Sequence, residues 1–204
     1  MYLIISDCTN PYFNLATEEY LLKHTDNNYC FFYRNSPSII CGKHQIPYKE
    51  INIHYVKANN IKICRRLSGG GTVYHDEGNI NFSFIQISKF EDEQIINFKH
   101  FIEPIAKFLT NKMQINAVIN ERNNIIVNHQ KISGNAEHIS KNRILHHGTL
   151  LYDSCLNDIN QSIRKNNSQY TDKSVPSVNA TVGNIADYIK HKVAISTFQN
   201  ELTK

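Results

Sequence analysis

Three consecutive glycines, Gly69-Gly70-Gly71, constrain this chain more than any other stretch, because the whole sequence holds only eight. Glycine gives up more backbone freedom on ordering than any other residue, so such a run inside a folded domain needs a compensating role. It sits between two apolar segments, "IKICRR" and "TVYH", which places a Cβ-free loop between two strands. Two readings fit that loop. One is a flexible hairpin tip, which glycine punctuation commonly marks. The other is a backbone surface whose successive N–H groups converge on an anion. Arg65 and Arg66, just upstream, carry guanidinium forks suited to phosphate or carboxylate. No Lys-Ser/Thr pair follows the glycines and no helix opens there, so the loop is neither a Walker A nor a G-x-G-x-x-G sequence.

The flanking pattern predicts an α+β domain with a mixed, largely antiparallel sheet flanked by helices. "YLIIS" reads as a buried strand, and "YCFFYRN" and "SIICGKHQ" as two strands around the turn-forming "NSPS". "HYVKANNIKICRR" supplies another apolar run, "INFSFIQIS" reads as a strand, and most neighbours are able to pair as hairpins. "NPYFNLATEEYLLKH" reads as a helix with Phe13, Ala16, Tyr20 and Leu21 at helical spacing. The clearest helix covers 91–112, where Ile95, Phe98, Phe101, Ile102, Ile105 and Leu109 line one face behind an acidic first turn. Pro104 inside it suggests a kink. "NNIIVNHQKISG" reads as a strand, a tight turn and a second strand, "RILHHGTLLYD" as a further strand, and Asp187 to Leu202 as an amphipathic helix. With 204 residues, 41% of them hydrophobic, the chain forms one domain, 1–204.

A net charge of +4 is that of an ordinary surface or of a taste for anionic ligands, and no long Lys/Arg run marks a nucleic-acid stripe. Five cysteines, an odd number without a CxxC pair, argue against a zinc ribbon or a disulfide framework. Reduced thiols in a cytoplasmic protein are the expectation. "MYLIISDC" lacks a basic n-region, and no apolar segment is long enough to span a bilayer.

Two further segments carry chemistry. Lys131 in "NHQKISGNA" sits at the edge of a strand, either as a solvated surface cation or as one aimed at phosphate or carboxylate. His146 and His147 in "HHGTLL" point to opposite faces of a strand, so at most one faces a pocket, and a satisfied structural role is the simpler reading.

Together "RRLSGGGTVYHDEGN", "KISGNA" and "HHGTLLYD" resemble the catalytic domain of the lipoate–protein ligase A family, within the biotin/lipoate protein ligase superfamily. "NPYFNLATEEYLL", "FFYRNSPSIICGKHQIPYKE" and "SVPSVNATVGNI" support the match in the same order along the chain. The resemblance implies that ATP, bound with Mg²⁺, adenylates lipoate to lipoyl-AMP. The lipoyl group then passes to a lysine of a lipoyl domain, on 2-oxoacid dehydrogenase acyltransferase subunits or on the glycine cleavage H protein. It implies that Lys131 is catalytic and bridges the acyl carboxylate and the α-phosphate, and that Arg66 contacts the nucleotide side. Gly71, Thr72, Val73 and Tyr74 would line the adenylate site. Ser68, Gly70, His75, Asn79 and Asn123 would complete substrate and ATP binding, with Asp76 in contact or bracing the loop. The "FFYRN" and "SIICG" strands would form an apolar slot, with Gly42 giving room. No resident metal site is implied.

Two departures stand out. Asn124 occupies a position that is typically acidic in the family, which touches Mg²⁺ or ATP binding. Larger ligases carry a small C-terminal domain that is expected to be absent here, so a separate accessory domain, or transfer from preformed acyl-AMP alone, is the alternative reading. The rival family, octanoyl or lipoyl transferases acting through a cysteine thioester, needs a cysteine where this chain has "NAVINER" or "SVNATVGN". Cys155 fits neither place and reads as a buried structural thiol.

Overall fold

In the computed structural model, residues 1–87, 97–164 and 173–204 are described. A five-stranded sheet runs in the order β1 (Tyr2–Ile5), β2 (Tyr29–Tyr33), β6 (Asn79–Ile87), β11 (Arg143–Leu151) and β10 (Asn135–Ser140). All its pairings are antiparallel except β1 with β2. A second sheet sets β3 (Ser38–Cys41) between β4 (Lys62–Arg65), parallel to it, and β5 (Val73–His75), antiparallel. The third is an antiparallel meander of β7 (Val118–Ile119), β8 (Ile125–Val127) and β9 (Gln130–Ser133). The α+β expectation holds, with three sheets in place of one. β2 and β3 flank the "NSPS" turn but join different sheets, so they do not form a hairpin.

The continuous apolar run of β2 follows from burial on both faces. Cys30 and Phe32 join the main core with Ile80, Phe82 and Leu150, whereas Phe31 and Tyr33 pack with Leu21, Leu22 and Leu145 on the other side. The main core is closed by α4 (Phe98–Asn111), which buries Phe101, Ile102, Ile105 and Leu109 as its spacing predicts, and by α6 (Ile195–Leu202). The acidic first turn at 91–93 and Ile95 lie outside the described residues. β1 is half-exposed because it is an edge strand, not the buried strand its composition suggests. Short helices α2 (Pro47–Glu50) and α3 (Ile53–Ala58) cover the second sheet, and α3 takes up part of the apolar run before β4. The expected helix from Asp187 is shorter. A single 3₁₀ turn at Ile185–Asp187 is followed by non-helical chain, and α6 starts only at Ile195. The Tyr152 hydroxyl donates to the Val193 carbonyl and holds that connection out of the helix.

Helix α1 (Pro11–His24) starts where Asn10 caps the Tyr12 N–H and Pro11 presets the first turn. Its buried face is not the one its apolar spacing suggests. Phe13 and Tyr20 are exposed, and Asn14, Glu18, Leu21 and Leu22 face inward. Buried polar side chains survive there because each finds partners in the interior.

Candidate active site

The glycine loop is held from behind. The buried Arg66 guanidinium donates through Nη2 to the Gly69 and Gly71 carbonyls, at 2.6 and 2.8 Å, through Nη1 to Ile40 O and through Nε to Ser68 Oγ. Burial lowers its pKa to about 10, which leaves it a cation at neutral pH. With the carbonyls of Gly69 and Gly71 turned onto Arg66, the N–H groups of Gly70 and Gly71 take no protein acceptor among the described residues. Arg66 therefore shapes the loop, while lining the adjoining cavity as well.

Polar side chains from one turn of α1 set the two histidines of the site. Glu18 accepts from Tyr33 OH, Ser83 Oγ and His147 Nδ1, and His147 Nε2 lies 2.6 Å from Ser68 Oγ. Burial works to raise the Glu18 pKa, but the facing His147 and the hydroxyl donors win and hold it below the ordinary carboxylate value. Asn14, one turn earlier, donates to Asn35 Oδ1, which turns the Asn35 amide nitrogen onto His75 Nδ1 at 3.0 Å. His75 therefore carries its proton on Nε2. Burial, Arg66 and His147 push its pKa down to about 3, so the ring is neutral. Its buried Nε2–H has no partner among the described residues, and the residue lines the cavity. His146 faces away, against Phe101 and Glu137, as alternation requires.

Lys131 is placed by the third sheet. Asn128 and His129 adopt left-handed φ of 46° and 66°, the geometry of a type I′ turn, and close the β8–β9 hairpin at the expected "NHQ". The register then slips by one between Ile125 and Ile126, a bulge that re-aims the strand next to Lys131. Gly134 leaves room for the side chain, since a Cβ there would lie 2.6 Å from Lys131 Nζ. The ammonium pairs with no acceptor among the described residues, and burial, then Arg66, lowers its pKa.

Lys131 stands where two cavities meet. The first, of about 310 Å³, is walled by Leu15, Tyr33 and Ile40 and carries Arg66, His75 and His147. The second, of about 580 Å³, is bounded by β5, the buried side of α5 (Leu156–Ser162) and the segment 177–182. Lys131, Thr72, Val73, Gly134, Thr149 and Ser177 border both. Among the described residues neither lining contains an aspartate or a glutamate, and Arg122 adds a further cation to the first. A paired, anionic ligand that spans both cavities suits this charge distribution.

Most of the motif converges here. Gly70, Gly71, Thr72, Val73, His75 and Lys131 line the first cavity, and Tyr74 the second. Ser68 is buried behind it between Arg66 and His147. Asp76 braces the turn between β5 and β6 and ties it to the start of α5, accepting from Gly78 N and Cys155 N. Among the described residues its carboxylate makes no hydrogen bond to Gly69, Gly70 or Gly71. Asn79 is bonded to Asn81, and Asn123, at a left-handed φ of 57°, offers its carbonyl to Asn135. Neither lines a cavity, whereas Asn124 lines the first. The apolar slot does draw on β2 and β3 through Tyr33 and Ile40, but Gly42 gives room to the Gly70 carbonyl, not to a ligand. Cys155 is exposed, contrary to the buried thiol expected, because its backbone starts α5 and its N–H is tied to Asp76. No cysteine lines either cavity. Among the described residues no three His, Cys, Asp or Glu side chains cluster to hold a metal. A divalent ion fits this donor set only if it arrives on phosphates, since the described lining offers the neutral Asn124 amide and no carboxylate. Glu18, Arg122 and Ser177 belong to the site although sequence reasoning did not single them out.

The lipoyl protein ligase A/B catalytic domain model matches residues 10–204. The chain is 42% identical over 197 residues to lipoate-protein ligase LplJ of Bacillus subtilis, covering 96% of this chain and 59% of that one. It is 41% identical to lipoate–protein ligase 1 of Staphylococcus aureus, covering 98% and 60%. The chain thus spans about three fifths of the length of these relatives. Among solved structures, P. falciparum LipL1 in complex with lipoate superposes with a TM-score of 0.85 at 29% identity, over 99% of this chain and 60% of that one. Lipoate-protein ligase A bound with ATP gives 0.83 at 26%, over 98% and 81%. A bi-partite ligase from Thermoplasma acidophilum, described with its E2 lipoyl domain, gives 0.80 at 25%, over 99% and 80%. On the matched family model and the identity across nearly its whole length, the chain belongs to the lipoyl protein ligase A/B catalytic-domain family.

Proposed function

We propose that this chain is the catalytic domain of a lipoate–protein ligase. Lipoate occupies the first cavity, ATP the second, and acyl transfer follows from lipoyl-AMP to a lysine of a lipoyl domain. The observation that carries the reading is Lys131: among the described residues, an ammonium without a partner, at the junction of two cavities whose linings hold no carboxylate. Attack of a carboxylate on an α-phosphate brings two anions together. A fixed cation between them, with the Gly70 and Gly71 amides nearby, offsets that repulsion. The same groups then stabilise charge developing on phosphorus and, in the second step, on the acyl carbonyl as the acceptor amine attacks and AMP leaves. Mg²⁺ would come with the nucleotide and neutralise phosphate charge. Acceptors are lipoyl domains, such as those of 2-oxoacid dehydrogenase acyltransferases or the glycine cleavage H protein. Five unpaired thiols fit a cytoplasmic setting.

The test is incubation with ATP, Mg²⁺, lipoic acid and an acceptor domain, read by intact mass. One added lipoyl group per acceptor supports the reading. Success with lipoyl-AMP but not with ATP plus lipoate reduces the chain to the transfer step, and labelling in neither arm refutes it.

A further inference from the structure

The segment 173–183 crosses the site as a strap. Its C-terminal end is pinned to β9, where Lys131 N donates to Thr181 O and Gly183 N to Lys131 O. Its other end is tied at several points: Val175 N donates to His44 O, Ser177 N to Glu50 Oε2, and the Gln45 side chain, only 4% exposed, reaches both the strap and the glycine loop. Gln45 Oε1 accepts from Gly42 N at 3.0 Å and from Thr72 Oγ1 at 2.8 Å. Its Nε2 donates to Val175 O at 3.2 Å and to Ser177 Oγ at 3.1 Å. Both carbonyl lone pairs and both amide hydrogens are thus used, half on the loop side and half on the strap side. Ser177 Oγ also accepts from Thr72 N at 2.9 Å, so strap, glutamine and loop form one closed ring of hydrogen bonds. The contact is flush, since a Cβ at Gly71 would lie 3.1 Å from Ser177 Oγ. Arg65 fixes the Gln45 backbone from outside by donating to the Gly42 and Gln45 carbonyls. Between its two anchors the strap presents Val178, 66% exposed, over both cavities.

We propose that Gln45 is a positioning residue that couples the strap to the glycine loop, so that the roof over both cavities and the backbone at Thr72 are set together. The Thr72 N–Ser177 Oγ bond already joins the two segments, and Gln45 adds four bonds divided evenly between them. The consequence for turnover rests on the ligase reading above, but the coupling itself does not.

Hydrogen exchange followed by mass spectrometry on the ligand-free full chain tests the coupling. Gln45→Glu keeps the two acceptor bonds and loses both donors to the strap. Peptides covering 173–178, whose Val175 and Ser177 amides are bonded to His44 O and Glu50 Oε2 and open when the strap lifts, should exchange about 10- to 30-fold faster, the effect of two lost strap hydrogen bonds of ordinary strength. The 66–72 and β9 peptides should change less than about threefold. Gln45→Met, which removes all four bonds without adding charge, should speed exchange in strap and loop alike. Ser177→Ala, made from the strap side, should reproduce the strap effect even where a Gln45 variant does not fold. Unchanged strap protection in these variants overturns the proposal, as does uniform acceleration that includes β6 and β11, which marks a general packing role. In turnover, Gln45→Glu should raise KM for lipoate and ATP about tenfold with kcat within about threefold. A loss in kcat alone overturns the coupling of strap to substrate retention. Inactivity of the unsubstituted chain, by contrast, overturns the ligase reading and leaves the exchange result standing.

Discussion

Gly42→Ala puts the seating of the glycine loop to a quantitative test. A methyl at Gly42 would lie 2.0 Å from the Gly70 carbonyl oxygen, 3.0 Å from its carbon and 3.3 Å from Arg66 Nη2. Since non-bonded heavy atoms settle near about 3.5 Å, the loop has to retreat by more than about 1 Å. That retreat strains the two bonds by which Arg66 holds Gly69 O and Gly71 O. Overpacking of this kind costs about 1–3 kcal/mol, and loss of a bond to a charged donor about 1.5–3 kcal/mol. The smaller conformational entropy of alanine in the unfolded chain offsets about 0.4–1 kcal/mol. A net loss of about 3–4 kcal/mol lowers Tm by roughly 6–16 °C for a chain of this length. Gly69→Ala is the matched control: its Cβ would meet only His44 Cδ2 at 4.0 Å, and no left-handed φ is required there. It should stay within about 2 °C of the unsubstituted chain, as a change of about 0.5 kcal/mol predicts. Thermal unfolding of both variants, with lipoate titration calorimetry, is the assay. Gly42→Ala should also weaken lipoate binding about tenfold or more. Equal Tm and equal binding for the two variants would refute the claim that the loop is seated on Gly42 and Arg66.

Lys131→Met keeps the apolar stem and removes the charge, and the mass-shift assay should show acceptor labelling cut by about 100-fold or more, with Tm little changed. Because burial and Arg66 lower the Lys131 pKa, the alkaline limb of activity in the unsubstituted enzyme should fall below the ordinary lysine value of 10.5. Gly134→Ala would place its methyl 2.6 Å from Lys131 Nζ, a flexible tip, so activity should drop at least tenfold while unfolding shifts by less than about 1 kcal/mol. Glu18→Gln keeps an acceptor for Tyr33 and Ser83 but sets an amide N–H₂ in place of Oε2 against His147 Nδ1 and removes the buried charge, which should cost about 3 kcal/mol in denaturant unfolding near neutral pH. Since the folded Glu18 pKa is lowered, its stabilisation is fully present above about 4.5 and is lost as pH falls below that value, so the acid limb of stability should flatten in Glu18→Gln. Alkylation of the exposed Cys8 and Cys155 should leave labelling intact, and abolition of labelling would revive a thioester route.

What was legible in the sequence was legible for identifiable reasons. The Gly69–Gly71 run marked the loop because bare backbone is costly, and the structure divides the three: Gly70 adopts φ of 89°, Gly71 packs against Ser177, and Gly69 has no comparable constraint. The "NHQ" turn and the inward stripe of α4 followed from turn chemistry and periodicity. Helix α1 misled, because its buried side carries Asn14 and Glu18, which periodicity scores as solvent-facing. His147 could not be told from a structural histidine until Glu18 and Ser68 were seen on either side of its ring. Arg66 read as a ligand contact, yet most of its donors go to the loop. Gln45 gave no signal at all, since its partners lie as far as 132 positions away in the chain.

That Asn14 and Glu18 stand four residues apart on one helix has a mechanical corollary. About 6 Å of axial rise separates them, and through them the helix gauges the interval between His75 and His147. Adding or removing a single residue between 14 and 18 would turn one of the pair by about 100°. One imidazole would then lose its alignment while the other kept it. The length of this stretch is therefore fixed by both histidines at once.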